Sequence, residues 1–168
     1  MTQQKPKIIY WKPGLAVRGP QVYLDANFIV GLGRPNHIWH ATANALLAHL
    51  QERNTNLILS SLALNEAIYQ LIRLNEKDRD TPESESEHEN SLTLRLDDVL
   101  LKLPQLRPFE PVDPAFHRQT LKAITDLGLD PTDAFHYTAA RHLACPIVTN
   151  DAGFQKIPDS QLTIVTFF

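Results

Sequence analysis

Asp25, Glu66, Asp133 and Asp151 are the residues of this chain best placed to do chemistry. Each stands where an apolar run gives out or a helical pattern begins. Val22-Tyr-Leu ends on Asp25, Cys145-Pro-Ile-Val-Thr-Asn ends on Asp151, and Glu66 and Asp133 open two helix-like stretches. In a parallel α/β sheet all of these places lie on one edge, beyond the carboxyl ends of the strands. Taken singly, each acid has an ordinary reading: a turn former, a solvated helix residue, a first-turn acid stabilised by the helix dipole, an Asx turn. Taken together they would converge, and convergence is costly. Two carboxylates about 5 Å apart repel by about 3 kcal/mol at an effective dielectric of about 20, so a group of four needs counter-charge or protonation. Arg141 and Lys156 are the nearest cations in sequence, and neither lies beside an acid. A divalent cation is the natural counter-charge, and an all-oxygen donor set selects a hard ion, Mg2+ or Mn2+, over zinc. An ion so held can activate water and neutralise a phosphodiester, which is nuclease chemistry.

The elements that must carry these acids are legible in outline. Residues 22–30 begin as a strand, and Gly31, Gly33 and Pro35 then break the pattern, with Asp25 and Asn27 falling where the strand gives way to a short helical turn. Asn36 is a candidate N-cap for a helix over residues 37–53. Leu57-Ile-Leu59 is a second buried strand, and Ser60 or Ser61 caps a helix over 62–74 whose core stripe is Leu64, Ala67, Ile68, Leu71 and Ile72. A helix is expected over 91–102, a short strand over 106–109 and a further helix over 115–127, closed by Gly128. Asp130-Pro131 forces a turn, and Pro131 or Thr132 opens the helix that carries Asp133. Cys145 leads into the strand that delivers Asp151, and residues 162–168 form a last strand. Strand, helix, strand, helix is the rhythm of an α/β fold with right-handed crossovers.

The bulk properties narrow the class. The chain has 168 residues, 43% of them hydrophobic, enough for one domain with a core of its own. A single cysteine excludes an internal disulfide and any cysteine-rich zinc site, and Cys145 reads as a small core residue. A net charge of −3 argues against a protein that coats nucleic acid through a broad basic field. Residues 1–20 read as an N-terminal extension, a solvated tail with Ile8-Ile9-Tyr10-Trp11 available to pack on the domain. Residues 21–168 are the domain proper, interrupted by an acidic, mobile loop at about 76–90. No signal-peptide pattern and no membrane-length apolar run are present, so a cytoplasmic protein with no membrane partner is expected.

Val-Tyr-Leu-Asp25-Ala-Asn27, Glu66 in the helix after the second strand, Asp133-Ala-Phe-His-Tyr-Thr-Ala-Ala and Val-Thr149-Asn150-Asp151-Ala-Gly-Phe154 together resemble a PIN-domain ribonuclease, particularly the VapC-type toxins. The resemblance spans about residues 21–168. It implies a three-layer α/β/α fold around a parallel sheet of about five strands, with an acidic cleft at their C-terminal edge. In that sheet the strands of Asp25 and Asp151 are neighbours at the topological switch point. It implies that Asp25, Glu66, Asp133 and Asp151 are catalytic and bind Mg2+ or Mn2+, and that Asn27 and Thr149 support them. It further implies metal-assisted hydrolysis of RNA, leaving a 5′-phosphate and a 3′-hydroxyl. An RNA substrate and an antitoxin protein follow as partners, and pairing with a second copy as a homodimer stays open.

Other readings compete. A non-catalytic PIN-like module that binds RNA or protein is the main alternative, disfavoured by the retention of all four acids. Asp25-Ala-Asn27 lacks the nearby second acid of a phosphatase, and no Gly-x-Gly-x-x-Gly or P-loop implies a nucleotide cofactor. Among the seven histidines, His37 and His40 share a helix face without a third ligand in view. His136, three residues after Asp133, is a candidate to face the same cleft.

Overall fold

The structure, a computed structural model, describes residues 5–77 and 97–168. Its strands are β1 (Lys7–Tyr10), β2 (Gln21–Leu24), β3 (Asn56–Ser60), β4 (Leu106–Phe109), β5 (Ile147–Val148) and β6 (Thr163–Thr166). Its helices are α1 (Ala26–Gly33), α2 (His40–Glu52), α3 (Ser61–Lys77), a short α4 over 97–101, α5 (Pro114–Leu127) and α6 (Pro131–His142), with a 3-10 turn at Phe154–Lys156.

Successive strand residues point to opposite sides of a sheet, and here both sides are covered. Val22, Leu24, Leu57, Leu59, Val148 and Val165 face one layer, packed against residues of α1, α2, α3 and α4. Tyr23, Ile58, Ile147 and Ile164 face the other, against Phe116 of α5 and Ala139 and Ala140 of α6. This is the expected three-layer α/β/α arrangement, and every strand pair is parallel. The strand order is β1-β6-β5-β2-β3-β4. From β2 the chain builds outward through β3 to β4, then returns to lay β5 on the other side of β2. The switch point therefore falls between β2 and β5, with Leu24 opposite Val148.

Three local expectations are corrected. Among the described residues the sheet has six strands, in keeping with the expected parallel sheet of about five, and Lys7–Tyr10, expected as part of an extension, pairs in parallel with β6. Trp11 and Val17 behind it are buried, and the Trp11 indole donates to the Leu15 carbonyl at 2.9 Å, so this segment is no solvated tail. The turn after Asp25 is a full eight-residue helix, and Gly31 and Gly33 lie inside it. At Gly31 a Cβ would sit 3.2 Å from the Ala43 Cβ, so its small size sets the closeness of α1 and α2. Gly31→Val is accordingly expected to cost about 1–3 kcal/mol through overpacking, read by urea denaturation; unchanged stability would contradict this packing. Finally, α2 starts at His40 after a turn that packs Trp39 on Phe167, and Trp39 at its N-cap makes no side-chain cap bond. Asn36 does not cap it.

The remaining ends follow the sequence rules. Ser60 Oγ accepts from Ala63 N at the start of α3, Asp130 caps α6 through Thr132 N and Asp133 N, and Gly128 closes α5 at φ 67°. The helix expected over 91–102 is seen over 97–101; residues 91–96 and all but the start of the acidic loop lie outside the described residues. No helix among the described residues is long and apolar enough to cross a membrane.

Candidate metal centre

Asp25 leaves β2 and caps α1. Its Oδ1 accepts from Ala26 N at 2.7 Å, and its Oδ2 accepts from Asn27 Nδ2 at 3.0 Å and from Thr149 Oγ1 at 2.6 Å. The residue is only 5% exposed. Burial pushes its carboxyl above the usual range, opposed by His136 and by these hydrogen bonds.

Glu66 projects from the second turn of α3 towards α6. Its Oε2 lies 2.7 Å from His136 Nε2, which is itself 3.9 Å from Asp25 Oδ1. One ligand atom from each of Asp25, Glu66 and His136 falls within 4.8 Å of the other two. His136, 1% exposed, is held from behind by the Tyr23 hydroxyl at 2.7 Å, and Tyr23 meets Ser60 Oγ at 2.8 Å. Sequence reasoning offered His136 as a candidate to face the cleft and Ser60 only as a helix cap, and it missed Tyr23. The signal available for Tyr23 was a polar tip at a core position two residues before Asp25, since a buried tyrosine hydroxyl needs a partner.

Asp133 and Asp151 make a second group. Asp151 follows β5 and forms an Asx turn: its Oδ1 accepts from Gly153 N at 2.6 Å, and its own N–H donates to Thr149 Oγ1 at 3.0 Å. Thr149 thus joins Asp151 to Asp25. A Cβ built on Gly153 would sit 3.1 Å from Asp151 Oδ1 and 3.9 Å from Asp133 Oδ2, so the two acids face each other over a glycine. Asp133 is half-buried, and its carboxyl is pushed up to about 7 by burial and by the charges of Asp130, Asp151 and Asp25. Its neighbour Asp130 stays low because Asp133 N donates to it. Asn150 does structural work instead: its Oδ1 accepts from Phe167 N at 2.8 Å and from Thr166 Oγ1 at 3.0 Å, fastening the end of β5 to β6.

The donors fit a hard cation. They are carboxylate oxygens at a sheet edge where burial and neighbouring carboxylates raise Asp133, and the basic side chain that meets Asp25 and Glu66 is an imidazole. Asp133 gives this a measurable sign. Its folded value lies above the roughly 3.9 of an unfolded aspartate, so its contribution to stability is complete below about pH 4 and is lost as pH rises through about 7. In EDTA, the melting temperature of the wild type is expected to fall between pH 5 and 8 relative to that of Asp133→Asn. Parallel pH profiles would contradict the geometry.

The PIN domain family matches residues 22–160. No curated protein matches the chain by sequence. Among solved structures, VapBC2 from Rickettsia felis, bound to a DNA fragment from their promoter, superposes with a TM-score of 0.63 at 18% identity over 88% of this chain and 99% of that one. FitAcB from Neisseria gonorrhoeae gives 0.56 at 20% identity over 88% and 96%. VapC20 from Mycobacterium tuberculosis, a sarcin-ricin loop cleaving toxin, gives 0.56 at 17% identity over 79% and 92%.

Proposed function

The chain belongs to the PIN-domain family, and on that premise we propose that it is a Mg2+- or Mn2+-dependent endoribonuclease acting in the cytoplasm. The observation that supports this reading is the trio of Asp25, Glu66 and His136 at the switch point of the sheet, beside Asp133 and Asp151, with Asp133 raised by burial and by the charges of Asp130, Asp151 and Asp25. A divalent cation bound there would supply an activated water and offset the charge of the scissile phosphate. The chain's own residues hold the site in place. Asn27, Thr149 and Ala26 N lock the Asp25 carboxylate, so no rearrangement is needed to present it. Thr149 also receives Asp151 N–H, which sets Asp151 and Asp25 by one hydroxyl. Gly153 leaves the space above Asp133 and Asp151 free of a side chain.

Of the similar structures, VapC20 is named as a toxin, and VapBC2 is named as bound to a DNA fragment from its promoter. The proposal therefore extends to a toxin restrained by an antitoxin protein, with a homodimer as a further expected assembly. The catalytic part is tested first. Labelled RNA should be cut with Mn2+ or Mg2+, leaving 5′-phosphate and 3′-hydroxyl ends; EDTA and Asp151→Asn should each stop the reaction. Undiminished cleavage by folded Asp151→Asn protein would sink the mechanism and favour a contaminating nuclease.

A further inference from the structure

Glu66 presents a problem that Asp25 does not. Its side chain is long and 31% exposed, and a free glutamate of this kind samples many rotamers, which a cation would have to quench on binding. Behind it runs a chain of hydrogen bonds through His136, Tyr23 and Ser60. Ser60 Oγ accepts from Ala63 N at 3.1 Å and meets the Tyr23 hydroxyl at 2.8 Å. With the His136 proton on Nε2, that N–H donates to Glu66 Oε2, Nδ1 accepts from the Tyr23 hydroxyl, and Tyr23 accepts from Ser60. Every polar atom of the chain is satisfied in that order, and burial keeps the Tyr23 phenol protonated by pushing it up.

The members of this relay come from the elements that carry Asp25, Glu66 and Asp133. Tyr23 lies on β2 two residues before Asp25, Ser60 caps the helix of Glu66, and His136 sits one turn after Asp133 on α6. All three lie under the site, where Tyr23, Ser60 and His136 are buried. An imidazole at hydrogen-bond distance from Glu66, with its other nitrogen already engaged, is built to orient a carboxylate.

We propose that His136, oriented by Tyr23 and Ser60, is a positioning residue that holds the Glu66 carboxylate beside Asp25 and so presets the site for its cation. The proposal rests on the metal-site reading above. The test is titration calorimetry with Mn2+ alone, without RNA, on wild type, His136→Ala, His136→Gln and Tyr23→Phe, each checked for folding by circular dichroism. Tyr23→Phe keeps the ring in the core and removes only the hydroxyl, so it reports on the relay even where His136→Ala is too unstable to use. His136→Ala and Tyr23→Phe are expected to weaken Mn2+ binding about 10-fold or more, and His136→Gln, whose amide can donate to Glu66, to recover part of the loss. Pulsed electron paramagnetic resonance of the Mn2+ complex should show no directly coordinated nitrogen. Wild-type affinity in both Tyr23→Phe and His136→Ala would overturn the relay while leaving the metal site intact. A coordinated imidazole nitrogen would overturn it by making His136 a ligand. Absence of Mn2+ binding by the wild type would instead bring down the metal-site reading, and the relay with it.

Discussion

Asp25→Asn is expected to lower RNA cleavage by at least about 100-fold while leaving the protein folded. The change disturbs little else. An amide oxygen can still accept from Ala26 N, and asparagine caps helices about as well as aspartate, so α1 keeps its start. What is lost is the charge, together with the second acceptor shared by Thr149 and Asn27. Losing those bonds costs stability, and removing a buried charge returns some of it, because burial already raises this carboxyl. A net change within about 2 kcal/mol, or a shift of roughly 4–8 °C in Tm, is the expected balance. Cleavage within a few-fold of wild type would remove Asp25 from the reaction.

The largest effect on stability is expected at Phe116. It is 1% exposed and stands at the centre of the layer formed by α5 and α6, with ring centroids 5.2 Å from Phe135 and 5.7 Å from Phe109. Phe116→Ala should cost about 3–5 kcal/mol, a large fraction of the roughly 5–15 kcal/mol stability of a typical domain. The loss also reaches the site, since α6 carries both Asp133 and His136 and packs on α5. Urea denaturation should show a lower midpoint with little change in slope. A cost under about 1 kcal/mol would mean that the layer closes around the gap.

Much of this architecture is written in patterns of apolar residues. Val22-Tyr-Leu and Cys145-Pro-Ile-Val read as strands because both sides of the sheet are covered, and Asp130 and Gly128 mark helix ends by their chemistry. The N-terminal strand escaped because it is four residues long, lies at the sheet edge and follows a proline, so its pattern is weak until β6 is there to pair with it. Gly31 misled for a related reason. A glycine that breaks a helix and a glycine that lets two helices touch look alike until the second helix is placed. The acids were legible as a group because their positions along strands and helices are local properties. The bond between Tyr23 and His136 spans 113 residues, and no spacing along the chain announces it. The division into a tight trio and a pair facing over Gly153 is likewise a matter of side-chain direction.

A crystal structure with Mn2+, read by anomalous scattering, tests most directly for a cation at the β2–β5 switch point. The expected result is a manganese peak about 2.1 Å from carboxylate oxygens of Asp25 and at least one of Glu66, Asp133 and Asp151. A map with no peak at this edge, or with its peak on other residues, would contradict the account.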